Sequence, residues 1–193
     1  MIALLIIDMQ NAYFEAPELA AKQERLVASC NRLLEGFTSN GHKALLVGTE
    51  HERDKSTWTL NMLDDDQGFI FRGSEQAEAV PGLATDGLPQ LTKTRDSAFM
   101  GTNLLSRLRN WNADEVVLAG VSTHNCIAQT GADAFAHNIR VTYAQDAMAS
   151  EDSEDAADML RILSSTYRQP VESNEEILAR LSGGQNGTAG GRT

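Results

Sequence analysis

The amino-acid sequence predicts an α/β fold in which a parallel sheet carries helices on both faces. Nearly continuous apolar runs, among them Ile2–Ile7 and Glu115–Val121, are typical of strands that are buried on both faces. Segments with apolar residues at helical spacing, such as 17–37, alternate with these runs along the chain. Strands that alternate with helices form parallel sheets, because each helix returns the chain across one face of the sheet.

Six strands are predicted in this sheet. The first ends where Asp8 follows six apolar residues, and the second follows the turn residues Asn40 and Gly41. Buried parallel strands of this kind end where a polar residue or a turn begins. In chain order the predicted strands cover residues 2–7, 43–49, 88–93, 115–121, 139–145 and 167–172.

Five helices are predicted from apolar residues that recur three or four positions apart. In the first helix Leu26, Cys30, Leu33 and Phe37 follow this spacing. The predicted helices cover residues 17–37, 103–110, 126–137, 153–165 and 174–181. The polar stretch over 50–87 has little periodicity, and a loop of that length in a compact domain is usually functional or partly helical.

Length and composition fit one globular domain and argue against nucleic-acid and membrane partners. The 193 residues suit a single domain, predicted over 1–182, with a glycine-rich tail over 183–193 that is predicted to be disordered. A net charge of −11 without a basic patch argues against nucleic-acid binding. No apolar run approaches the roughly 18–20 residues of a membrane helix. The apolar start lacks the basic region of a signal peptide and stops at Asp8, so a cytoplasmic location is expected.

The two cysteines, Cys30 and Cys126, are expected to be separate thiols. Disulfides are rare in cytosolic proteins, and two cysteines alone are weak evidence for one. No Cys-x-x-Cys or His-Glu-x-x-His pattern is present, so no zinc site is expected.

Three residues with useful chemistry follow three predicted strands. Asp8 follows the first strand, Lys93 ends the third, and Cys126 follows the fourth through a short turn. Ligands of open α/β sheets bind beyond the carboxyl ends of the strands, so these side chains are expected to meet at one edge. A cysteine at a helix N-terminus has its thiolate stabilised by the helix dipole, and nearby N–H groups can bind an oxyanion.

Each of the three residues also has an ordinary structural interpretation. Cys126 could be an inert thiol in the core, Asp8 could cap a turn, and Lys93 could lie in solvent. A buried carboxylate needs a partner, however, and Lys93 is placed to be the partner of Asp8.

The segments around these residues form three motifs. They read LLIIDMQNAYF over 4–14, LTKTRDSAFMGTNL over 91–104 and AGVSTHNCI over 119–127. With these motifs the chain, to about residue 180, resembles the isochorismatase-like cysteine hydrolases. That group includes nicotinamidases, carbamoylsarcosine and ureidoacrylate amidohydrolases, and isochorismatases.

The resemblance implies a three-layer α/β/α, Rossmann-like architecture around a six-stranded, mainly parallel sheet. It implies a catalytic triad of Asp8, Lys93 and Cys126, and a turn at Val121, Ser122 and Asn125 that contains a cis peptide bond between Val121 and Ser122 and binds the oxyanion. The implied reaction is C–N bond cleavage in a small amide, ureido or lactam substrate through a thioester, with no cofactor. Assembly as a homo-dimer or homo-tetramer is implied as well.

The chain also departs from the group. His124 stands where the group often has an aspartate, so it either contacts substrate or simply occupies the turn. Thr49-Glu50-His51 replaces the Asp-x-His metal site of nicotinamidases and no partner histidine follows, so no metal is expected and nicotinamidase activity is put in doubt. Candidate substrate-binding residues are Phe14, Trp58, Phe99 and His124.

Two other functions stay open at the level of sequence. An isochorismatase cleaves a vinyl ether by protonating the substrate and does not need a cysteine. A non-catalytic binding domain would retain the fold without using the thiol. The stretch over 50–87 is expected to decide the substrate.

Overall fold

The computed structural model describes residues 1–183, which form one six-stranded parallel sheet with the strand order β3-β2-β1-β4-β5-β6. Every pair of neighbouring strands is parallel. The predicted α/β class and the six-stranded parallel sheet are therefore confirmed. The strands are β1 Ile2–Ile7, β2 Lys43–Thr49, β3 Gln90–Lys93, β4 Glu115–Val121, β5 Arg140–Ala149 and β6 Val171–Glu172.

Helices connect the strands and cover both faces of the sheet. They are α1 Pro17–Ala20, α2 Gln23–Ser39, α3 Leu60–Asp64, α4 Leu104–Asn110, α5 Ala128–Ala136, α6 Ser153–Tyr167 and α7 Asn174–Gly183. Single 3-10 turns lie at Asn11–Glu15 and Glu75–Ala77, and a π-helical turn lies at Thr123–Ile127.

The core has two halves, one on each face of the sheet. Residues of α2 and α7 pack with Leu4 and Ile6 on one face, and residues of α4, α5 and α6 pack with Leu5 and Ile7 on the other. All four of these β1 side chains are at most 1% exposed. The continuous apolar run of β1 is thus explained by burial on both faces, which gives the three-layer arrangement.

Three helix and strand boundaries between β5 and β6 differ from the prediction. The strand predicted over 139–145 continues to Ala149, where Ala149 pairs with Val121 beyond a register shift in β4. The helix predicted over 153–165 continues to Tyr167, and only Val171–Glu172 of the strand predicted over 167–172 is formed. Arg168 ends α6 in a left-handed conformation with φ +55, which the helical spacing alone does not indicate.

The first predicted helix, 17–37, is two helices in the structure. The N–H groups of Ala21 and Lys22 donate to the carbonyls of Pro17 and Leu19, which closes α1 after one turn. The ammonium of Lys22 donates a hydrogen bond to the carbonyl oxygen of Ser150. This tertiary contact lies at the break between the two helices, and a periodic pattern does not report it.

Other expectations concern the loop and the chain ends. The stretch over 50–87 contains α3 and a 3-10 turn, in line with a loop that is partly helical. No helix in the described part of the chain is long and apolar enough to cross a membrane. The tail predicted over 183–193 lies outside the described residues except for Gly183, at which α7 ends, and the boundary at 182 stays a prediction.

Gly120→Ala is expected to destabilise the fold by more than about 3 kcal/mol. Gly120 has φ +114, and a Cβ atom there would lie 1.9 Å from the carbonyl oxygen of Ile7, so backbone would have to move. Gly41→Ala is the matched control, because Gly41 has φ +72 but open space around its Cβ position. Urea unfolding should show a loss of about 1 kcal/mol for the control. Equal losses in the two variants would contradict the clash.

Candidate active site

The ends of three neighbouring strands bring Asp8, Thr49 and Lys93 to one edge of the sheet. Thr49 is the last residue of β2 and pairs with Lys93, the last residue of β3. Asp8 follows β1 directly, with φ +54, and its N–H donates to the carbonyl of Val47 at 2.8 Å. The left-handed conformation turns the chain out of β1 immediately after the strand, so Asp8 lies at the strand end as predicted.

Asp8, Lys93 and Cys126 lie in direct contact. The Lys93 Nζ atom is 2.8 Å from Asp8 Oδ2 and 3.3 Å from Cys126 Sγ. Asp8 is 0% exposed, Lys93 1% and Cys126 5%. Lys93 is therefore not in solvent, and the three predicted residues form one buried cluster. Their catalytic roles stay predictions.

Thr49 completes this cluster, and the sequence analysis did not assign it a role there. Its hydroxyl accepts a hydrogen bond from Lys93 Nζ at 2.7 Å and donates one to Asp8 Oδ1 at 2.9 Å. The Tyr13 hydroxyl donates to the Thr49 hydroxyl oxygen at 3.3 Å. An ammonium only donates and a carboxylate only accepts, so these directions are fixed. The strand-end rule that selected Asp8 and Lys93 would also have selected Thr49.

The second carboxylate oxygen of Asp8 is held by charge rather than by a directed hydrogen bond. Asp8 Oδ2 is paired with the Lys93 ammonium, but it accepts no hydrogen bond of good geometry from residues 1–183. An oxygen in this state has a lone pair available for a proton from Cys126.

The electrostatics of the cluster favour a neutral thiol beside an ion pair. Burial, followed by the Asp8 charge, raises the pKa of Cys126 well above its ordinary value, although Lys93 acts in the opposite direction. Burial alone would lower the pKa of Lys93, but the charges of Asp8 and the Cys126 thiolate outweigh it and raise that pKa. Near neutral pH Cys126 is therefore a neutral thiol and Lys93 an ammonium.

The position of Cys126 corrects one expectation. The predicted helix over 126–137 does not begin at Cys126: a π-helical turn covers Thr123–Ile127, and α5 begins at Ala128. The thiol is buried inside that turn, and burial is the largest of the effects that oppose the thiolate. A base must remove the proton when the sulfur reacts.

Alkylation of Cys126 by iodoacetamide is expected to keep accelerating above pH 8.5, the approximate pKa of a free cysteine. The raised pKa means that the thiolate fraction grows only as the pH passes that value. Mass spectrometry of the labelled peptide, from pH 6 to 10, measures the rate. A rate that levels off below pH 8 would show a lowered pKa and contradict this environment.

The turn before Cys126 contains the cis peptide bond between Val121 and Ser122 that the resemblance implied. The Ser122 hydroxyl donates to Glu151 at 2.6 Å, and the Ser122 carbonyl accepts from the N–H groups of Asn125 and Ile127. The Asn125 N–H is therefore already used inside the turn, and its side chain is exposed. An oxyanion role for this turn stays a prediction.

A cavity of about 370 Å³ opens beside the cluster, with Lys93, Thr49 and Tyr13 among its lining residues. Asp96 also lines it, and its Oδ1 lies 4.0 Å from Cys126 Sγ. The remaining walls are polar and apolar side chains from the segment after β2 and the residues after β3. They are His51, Thr59, Asn61, Met62, Asp65, Gln67, Phe69, Thr94 and Arg95.

The four residues proposed from the sequence as substrate-binding do not line this cavity. Phe14 belongs to the core on the α2 face, and Trp58 is buried with its indole N–H donating to the carbonyl of Glu52. Phe99 packs against the other half of the core, beside the ring of His137. His124 makes a hydrogen bond with the hydroxyl of Ser150. Apolar composition alone does not tell a cavity wall from core.

The residues present do not fit the metal site of nicotinamidases. Thr49 supplies a hydroxyl that is already saturated by Lys93, Asp8 and Tyr13. In the described part of the chain, no three His, Cys, Asp or Glu side chains are grouped as metal ligands.

Comparisons with known proteins agree with this fold. The model of the isochorismatase domain matches residues 2–175. A "probable inactive nicotinamidase" of Arabidopsis thaliana is 35% identical over 161 residues, which are 79% of this chain and 82% of that protein.

Two solved structures are similar to this chain over most of its length. An isochorismatase family protein from Desulfovibrio vulgaris is 30% identical, with a TM-score of 0.81 over 94% of this chain and 98% of that one. The N-carbamoylsarcosine amidase of Thermoplasma acidophilum is 25% identical, with a TM-score of 0.76 over 90% and 96%. The match over nearly the whole chain identifies this protein as a member of the isochorismatase family.

Proposed function

We propose that this protein is a cysteine hydrolase that cleaves the C–N bond of a small amide, ureido or lactam substrate through a thioester. The observation that carries the proposal is the buried contact of the Cys126 thiol with Lys93, whose ammonium also pairs with Asp8. A thiol, a base and a fixed cation are the groups that acyl transfer to sulfur requires.

The first half of the reaction makes the thioester. Asp8 Oδ2 takes the thiol proton as the Cys126 sulfur bonds to the substrate carbonyl carbon. The Cys126 N–H, in the turn before α5, donates to the oxyanion. When the tetrahedral intermediate collapses, the C–N bond breaks and Asp8 gives its proton to the nitrogen. Ammonia or an amine then leaves, except in a lactam, where the ring opens and the amine stays attached to the acyl group.

The second half restores the enzyme. A water molecule enters the cavity, loses a proton to Asp8 and attacks the thioester carbon. The C–S bond breaks, the acid product leaves, and the proton returns from Asp8 to Cys126. Throughout, Lys93 and Thr49 hold the Asp8 carboxylate, so the base meets the sulfur in one orientation.

The names of similar proteins support amide hydrolysis and narrow the set of substrates to test. The Thermoplasma structure is an amidase for an N-carbamoyl compound, which is a ureido acid. The Arabidopsis relative is named an inactive nicotinamidase, and Thr49 here replaces the metal-binding aspartate of that activity. Ureido acids and simple carboxamides other than nicotinamide are therefore the first compounds to test.

The test is hydrolysis of a panel of small amides by the purified protein, measured as release of ammonia or amine from carboxamides and ureido acids and as ring opening of lactams. Turnover of at least one panel member is expected. Failure on the whole panel, together with turnover of isochorismate, would replace amide hydrolysis by vinyl ether cleavage. Failure on both would favour a binding domain without catalysis.

A further inference from the structure

His51 is a buried cavity residue that the proposed mechanism does not use. It follows β2, and its backbone is clamped to a neighbouring segment: its N–H donates to Ile70 at 2.9 Å and its carbonyl accepts from Arg72 at 3.0 Å. The residue is 2% exposed, and its ring lies 6.2 Å from that of Phe69. The imidazole is therefore held on the cavity wall with little freedom to turn.

The hydrogen bonding of the ring fixes which nitrogen carries the proton. His51 Nδ1 lies 2.9 Å from the carbonyl oxygen of Thr57. A carbonyl only accepts, so Nδ1 is the protonated nitrogen and donates. No other hydrogen bond to this ring is found within residues 1–183, which leaves Nε2 as the nitrogen without a protein partner.

The surroundings keep the ring neutral. Burial lowers the pKa of His51, the nearby positive charges of Arg95 and Lys93 lower it further, and the Thr57 hydrogen bond only partly opposes them. In a neutral ring whose Nδ1 donates, Nε2 carries a lone pair and acts as an acceptor. A ligand in the cavity that supplies an N–H would match this acceptor.

We propose that His51 is a specificity-determining residue whose Nε2 accepts a hydrogen bond from an N–H of the substrate bound against Cys126. This inference rests on the proposed function, and it selects primary amide and ureido groups over N,N-disubstituted amides. His51 lines the same cavity as Lys93 and Asp96, whose side chains lie 3.3 and 4.0 Å from Cys126 Sγ, so a small molecule in this cavity has the His51 wall on one side and the neighbours of the sulfur on another.

The test uses the reactivity of Cys126, so it needs no known substrate. The rates of alkylation by 2-chloroacetamide and by N,N-dimethyl-2-chloroacetamide are measured for Cys126 and for free glutathione. In both reagents the sulfur displaces chloride, but only the first offers N–H groups. The rate ratio for Cys126 is expected to exceed that for glutathione by about fivefold or more, as one net hydrogen bond gives. A ratio equal to that of glutathione, or no reaction with either reagent, would overturn the proposal.

Two variants separate hydrogen bonding from shape. His51→Phe retains a ring of similar size without the acceptor, and the ratio should fall to about the value for glutathione. Met62→Leu changes another buried cavity residue but no acceptor, and the ratio should stay as in the wild type. Preference retained in His51→Phe, or lost equally in Met62→Leu, would show that shape alone is responsible and would overturn the role of His51.

A measurement on the wild-type protein tests the inference even if the His51→Phe variant does not fold. Long-range proton–nitrogen correlation spectra should show His51 protonated at Nδ1 and bare at Nε2 at pH 7. A proton on Nε2 would overturn the inference. These readouts involve no turnover, so a protein that shows the preference but hydrolyses no amide would refute the hydrolase and leave the acceptor role of His51 standing.

Discussion

Cys126→Ala is expected to lower amide hydrolysis by at least about 10³-fold, because the thioester cannot form without the sulfur. The fold should survive, since the side chain is small and the turn is held by Ser122 and its hydrogen bonds. Product release by the variant, at matched concentration and with the best substrate of the panel, measures the loss. Circular dichroism of the same sample checks that the protein is folded.

Cys30→Ala is the matched control for this experiment. Cys30 is fully buried on the α2 face, its sulfur lies 3.8 Å from the carbonyl oxygen of Ala147, and burial raises its pKa to about 12. It should keep near-normal turnover and lose about 1 kcal/mol of stability from the smaller side chain. Hydrolysis that persists in Cys126→Ala would refute the thioester mechanism.

Lys93→Met is expected to destabilise the protein by about 3–5 kcal/mol and to abolish activity. The substitution removes the only ammonium that faces the buried Asp8 carboxylate in the described residues, and it leaves Thr49 without one of its two donors. The methionine has nearly the same length, so the loss reports charge and hydrogen bonding more than volume. Urea unfolding followed by tryptophan fluorescence measures the change.

A double substitution tests whether the cost comes from the unpaired charge. Asp8→Asn combined with Lys93→Met leaves no buried charge in the pair, so most of the stability should return while activity stays absent. Lys43→Met, at an exposed position that begins β2, should change stability by no more than about 0.5 kcal/mol. A Lys93→Met loss as small as that of Lys43→Met would contradict the importance of the ion pair.

The sequence by itself determined the fold class and the meeting of Asp8, Lys93 and Cys126 at one edge of the sheet. Buried parallel strands are recognisable as nearly continuous apolar runs. Ligands bind beyond the carboxyl ends of such strands, and this rule predicts that Asp8, Lys93 and Cys126 lie close together. The confirmed features depend on local pattern and on the geometry shared by all parallel sheets. The resemblance of the three motifs also predicted the cis peptide bond between Val121 and Ser122, which the structure contains.

Only the tertiary structure decided which hydrogen bonds these groups make and which residues surround them. Within residues 1–183, the hydroxyl of Thr49 is saturated and Nε2 of His51 has no hydrogen bond, and both states depend on neighbours that are distant in sequence or belong to an irregular loop. The raised pKa of Cys126 has a related cause: the position of this residue before a helix is readable from sequence, but its burial is not. The placement of Phe14 and Trp58 away from the cavity has the same origin, because an apolar side chain gives no local sign of whether it faces core or ligand. Local pattern fixes where the chain runs as strand or helix, whereas burial, charge and hydrogen-bond partners depend on the whole fold.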